Sequence, residues 1–113
     1  TVLGSASKNA GTILDRCGLR PLFDAVVDGN EVSRAKPDPE VFLKGAAAVD
    51  AAPSVCVVFE DAKAGFESAK RAGAGRIVAL TTTLPREALE RETPADVIVN
   101  NFAELTDLGA LLA

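Results

Sequence analysis

The sequence predicts an α/β fold built on a mainly parallel sheet. Two observations carry this. Short apolar runs rich in β-branched residues alternate with segments of helical periodicity, and the runs end abruptly in polar or charged residues. The 113 residues, 48% of them hydrophobic, suffice for one core and are too few for two ordinary domains.

The elements follow in order. "TVLGSAS" opens the chain with an apolar strand signal. Ala10, Ile13, Leu14 and Cys17 then share one face of a helix, which Gly18 stops. "FDAVVDG" is a second short strand, and the polar "NEVSRAK" after it is a loop. Asp38 is expected to cap a helix with Pro39 at its first position and Phe42, Gly45, Ala46 and Val49 as its buried stripe. "SVCVVF" is apolar almost throughout, as in a strand covered on both faces. Ala62, Phe66 and Ala69 repeat at helical spacing up to Gly73. "RIVAL" is a fourth strand, "PREALERE" a short helix and "DVIVN" a fifth strand. "FAELTDLGALLA" is expected to be a last helix with Leu105, Leu108, Leu111 and Leu112 inward.

Composition removes several function classes. A net charge of −4, from 16 acids against 12 bases, and five aromatics that are all Phe argue against a nucleic-acid partner. Histidine is absent, so Ser-His-Asp and Cys-His mechanisms are excluded, and acid–base chemistry falls to carboxylates, lysine or a bound metal. No apolar run reaches the roughly 18 residues of a membrane span, and no secretory signal pattern is visible, so the cytoplasm is the expected location. Cys17 and Cys56 are expected to be buried free thiols.

In an open parallel sheet, ligands bind beyond the carboxyl ends of the strands. The first strand ends in Ser5, Ala6, Ser7, Lys8 and Asn9, the loop after the second carries Lys36, and the third ends in Glu60 and Asp61. Taken singly, the serines suit helix caps, Lys36 a solvated lysine, and the acids a helix N-terminus. Taken together they suit a phosphate beside a magnesium ion: hydroxyls and backbone N–H groups for phosphate oxygens, lysine for charge, carboxylates for the hard cation. "GAG" at residues 73–75 precedes a strand instead of following one, and so lacks the context of a dinucleotide site.

"GSASKN", "RAKPDPEVFL" and "VVFEDAKAGFESAKRAG", in that order, resemble the haloacid dehalogenase superfamily, and more narrowly its β-phosphoglucomutase-like branch. The resemblance implies a Rossmann-like core with helices on both faces. It implies magnesium-dependent phosphoryl transfer on a small phosphorylated sugar, by a phosphomutase or a phosphatase. Ser5 would bind the transferred phosphoryl group and Lys36 would bridge it to the nucleophile. Asp61 would ligate magnesium with Glu60 beside it, and Ser7, Lys8 and Asn9 would contact a distal phosphate.

The family's Asp-x-Asp signature, whose first Asp is the nucleophile, does not occur in residues 1–113, nor does its helical cap domain. Residues 1–113 are therefore expected to be the C-terminal part of a single core domain that lacks its first, central strand. Removing that strand would leave its neighbours roughly 9 to 10 Å apart with two exposed edges. Those edges would pair with the missing N-terminal segment or with another copy. By itself the chain is expected to be inactive. A non-catalytic fragment or assembly module is the other class. A phospho-acceptor receiver domain fits less well, since its acids should precede the hydroxyl and lysine.

Overall fold

A computed structural model describes residues 1–105. Among these residues five strands and four α-helices alternate: β1 (Val2–Gly4), α1 (Ala10–Cys17), β2 (Ala25–Val27), α2 (Glu40–Ala48), β3 (Val57–Glu60), α3 (Lys63–Ala72), β4 (Arg76–Leu80), α4 (Arg86–Glu92) and β5 (Val97–Val99), every strand pair being parallel. The strands fall into two separate sheets. β1 pairs with β2, Val2 opposite Ala25; β3, β4 and β5 pair in that order, with Val57 opposite Arg76 and Val78 opposite Val97. No ladder joins β1 to β3.

The larger sheet holds most of the core. Val58, Ile77 and Ala79 meet Phe66 and Ala69 of α3 and Leu89 of α4 on one face; Val78, Leu80 and Val99 gather Val57, Phe59, Val97 and Leu105 on the other. Strand parity produces this division, because alternate residues of β3 and β4 point to opposite faces. Helix α2 ties the halves together, packing on β1 and β2 and also on α3. The buried Ser68 hydroxyl of α3 donates to the Asp38 carbonyl at 2.7 Å, fixing the loop that carries Lys36. Gly18 and Gly73 end α1 and α3 at φ of 69° and 81°, where a side chain would be strained.

Four local expectations are corrected. Helix α1 buries Ala10 and Leu14 but turns Ile13 outward, 54% exposed, and leaves Cys17 exposed at its last position; Cys56 is only half-buried. The apolar stripe of α1 is thus narrower than its spacing suggests. Helix α2 begins at Glu40 with Pro39 as N-cap, and Asp38 Oδ1 instead accepts the Glu40 N–H at 3.0 Å. Val41 replaces Val49 in its buried face, since the helix ends at Ala48. Of the segment expected to form a last helix, the described residues hold a single 3₁₀ turn over Phe102–Glu104; Leu108, Leu111 and Leu112 lie outside the described residues.

Candidate active site

The carboxyl ends of β1, β3 and β4 open into one cleft of about 500 Å³ that lies across the break between the sheets. Gly4, Ser5, Ala6, Lys36, Phe59, Glu60, Asp61, Leu80, Thr82, Asn101 and Phe102 line it. Five of the eight residues expected from the strand ends therefore meet: Ser5, Ala6, Lys36, Glu60 and Asp61.

Ser7, Lys8 and Asn9 lie on the turn leading away from it and are exposed. The Ser5 hydroxyl accepts the Ser7 N–H and the Ser7 hydroxyl accepts the Asn9 N–H, both at 3.1 Å. The serines thus shape the turn before α1 without capping the helix, and Asn9 as N-cap makes no side-chain cap bond. Ser5 keeps its own O–H proton to donate into the cleft.

The two acids part company. Glu60 shares the inward parity of Val58 and is only 9% exposed, whereas Asp61 is half-buried at the cleft. Glu60 Oε2 accepts from Lys36 Nζ at 2.8 Å, and Oε1 accepts the Asp61 N–H at 3.1 Å. A buried carboxylate needs such partners, and here it also satisfies the turn entering α3. The Lys36 ammonium lies 5.1 Å from the centre of the Phe42 ring.

Asp61 Oδ2 accepts the Thr83 hydroxyl at 2.5 Å and the Thr82 hydroxyl at 3.3 Å. The Thr83 hydrogen bond, above all, holds the Asp61 carboxyl below the usual carboxylate range, so it is ionised at neutral pH. Its Oδ1 carries none of these bonds. Thr82, Thr83, Asn101 and Phe102 were not expected here, since they belong to loops after β4 and β5 that carry no recognisable spacing. The one available signal is that they too follow strand ends.

Among the described residues no three carboxylate, thiol or imidazole side chains converge on a point where a metal ion would sit. Magnesium commonly takes only one or two protein carboxylates and completes its shell with water and phosphate oxygens. Asp61, ionised and backed by two hydroxyls, fits one corner of such a shell. Glu60 fits less well, both of its oxygens being occupied.

Comparison with known proteins agrees with the geometry. Residues 2–73 match the family described as haloacid dehalogenase-like hydrolase. The chain is 42% identical over 96 residues to validoxylamine A 7'-phosphate phosphatase of Streptomyces hygroscopicus subsp. limoneus, covering 85% of this chain and 43% of that protein. It is 44% identical over 71 residues to the β-phosphoglucomutase of Bacillus subtilis (strain 168), covering 63% and 31%. The crystal structure of β-phosphoglucomutase from Clostridium difficile superposes with a TM-score of 0.81 at 30% identity, over 96% of this chain and 45% of that one. The chain thus spans less than half the length of these relatives.

Proposed function

The chain belongs to the haloacid dehalogenase-like hydrolases, and on that premise we propose that it forms the phosphate-binding and metal-binding wall of a phosphoryl-transfer site acting on small phosphorylated sugars. The observation that carries this reading is the meeting of Ser5, Lys36 and Asp61 in one cleft from three separate parts of the chain. Independent helix caps have no reason to converge in this way.

In this reading the Ser5 hydroxyl donates to a phosphoryl oxygen, and Lys36 neutralises charge on the same group. Asp61 presents Oδ1 to the cation while Thr82 and Thr83 hold Oδ2 still. Magnesium, when bound, supplies charge neutralisation at the phosphoryl oxygens. The nucleophile is a carboxylate carried by a strand outside residues 1–113, lying in the break between β1 and β3. Its oxygen bonds to phosphorus as the bond from phosphorus to the sugar oxygen breaks, that oxygen taking a proton from the second Asp of the family's Asp-x-Asp, likewise outside residues 1–113. Water or a second sugar hydroxyl then takes the phosphoryl group, which makes the outcome hydrolysis or mutase transfer. Ser7, Lys8 and Asn9, on the exposed turn leading away from the cleft, are in this reading the contacts to a second phosphate on the sugar.

Magnesium-dependent phosphate release from glucose 6-phosphate and isomerisation of β-glucose 1-phosphate test this. The 113-residue chain alone should show neither, and turnover by it would refute the need for a second segment. In the protein that supplies the nucleophile strand, Asp61→Asn should abolish magnesium-dependent activity. Near-normal rates would remove Asp61 from the metal site.

A further inference from the structure

The loop that carries Lys36 has little burial to hold it. Ser33, Arg34, Ala35 and Pro37 are exposed, and Lys36 itself is half-buried. Fixing the backbone of such a segment costs conformational entropy that apolar contact does not offset here. Two side chains that do not line the cleft supply the restraint. Glu40, in the first turn of α2, reaches back to the loop: its Oε1 accepts the Ser33 N–H at 2.9 Å and its Oε2 the Arg34 N–H at 2.8 Å. Lys44, one turn further along α2, has its ammonium 3.3 Å from Glu40 Oε1 and also donates to the Glu31 carbonyl. At the other end of the loop the Asp38 N–H donates to the Ala35 carbonyl at 3.0 Å, and the Asp38 carbonyl accepts the buried Ser68 hydroxyl at 2.7 Å.

Lys36 therefore stands between two clamps. A carboxylate that takes two consecutive backbone N–H groups fixes two successive peptide planes, and with them both dihedral angles of Ser33. The direction in which the chain leaves towards Lys36 is set by this contact. We propose that Glu40 is a positioning residue for Lys36, setting from outside the cleft the course of the loop that brings the ammonium to it, with Ser68 as the anchor at the far end. The proposal rests on the reading of Lys36 as a phosphate-binding residue, and adds what holds that residue in register with Ser5.

NMR on the ¹⁵N-labelled 113-residue chain tests it. In Glu40→Ala, amide exchange at Ser33 and Arg34 should speed up about tenfold, the loss of one charge-assisted hydrogen bond at each. The ¹H–¹⁵N heteronuclear NOE of Lys36 should fall towards the value of a mobile loop. The orthophosphate dissociation constant, read from the Ser5 and Ala6 amide shifts, should rise about threefold to tenfold, as expected when a side chain must be ordered on binding. Glu40→Gln, which keeps one acceptor oxygen and loses the charge, should lie between wild type and Glu40→Ala in all three. Glu67→Ala, which removes an exposed pair with Arg71 on α3, should change none of them. Thermal melts identify a variant that fails to fold; if Glu40→Ala fails, Glu40→Gln decides. An unchanged Lys36 NOE in the folded variant overturns the proposal, and so does an unchanged phosphate affinity. A wild type that does not bind orthophosphate overturns the phosphate reading beneath, and the Lys36 NOE alone then decides the role of Glu40.

Discussion

The two sheets contrast in how well each is buried. In β3–β4–β5, Val78 and Ala79 are fully buried and α3 contributes Phe66 and Ala69 at 0% exposure. In β1–β2, only Val27 is buried, β1 is half-exposed throughout, and Ile13, Leu19 and Leu22 around it face solvent. The acid side of the cleft therefore stands on the better-buried core and the Ser5 side on the more exposed one. The weaker burial lies on one side of the break between the sheets. An additional strand between β1 and β3 would bury apolar surface chiefly on the weaker half and pair two open edges.

The contrast can be broken by truncating each core in turn. Phe66→Ala, in the larger half, should cost about 3–5 kcal/mol, and Leu14→Ala, on α1 in the smaller half, only about 2 kcal/mol, the low end for a leucine whose site can relax. Urea unfolding of both variants measures this. Equal losses would mean that the two halves share one core, and the contrast would fall.

A smaller effect concerns Asp61 and pH. Asp61 has a depressed carboxyl pKa in the folded state, chiefly from Thr83, so its contribution is complete above the unfolded value near about pH 4. It is lost as pH falls through the lower folded value. Thr83→Val should therefore be less stable than wild type at pH 7, by under about 1 kcal/mol because solvent screens the group, with the gap closing below about pH 4. Thermal melts across pH 2–7 read it. A gap that widens in acid would contradict the assignment of Thr83 to the Asp61 anion.

Much of this was legible in the sequence for a local reason. Strand ends are marked by the change from β-branched runs to polar residues, so Ser5, Lys36 and Asp61 could be placed on one rim before any coordinates. The division into two sheets followed only from the family resemblance, since nothing in "VLG" or "VVFE" states which strand lies beside which. Thr82 and Thr83 escaped notice because a run of threonines after a strand has no distinctive spacing; their role appears only when Asp61, 21 and 22 residues away, folds back beside them. Glu60 and Asp61 looked equivalent as neighbours. The pleat separates a buried partner for Lys36 from a cleft-facing anion.

The central claim is that the break between the sheets is a phosphate site already formed on this chain. Titration of the ¹⁵N-labelled 113-residue chain with orthophosphate, followed by amide chemical shifts, tests it most directly. Saturable shifts confined to Ser5, Ala6, Lys36 and Asp61, and lost in Lys36→Ala, are the predicted result. No saturable shifts, or shifts that survive Lys36→Ala, would contradict it.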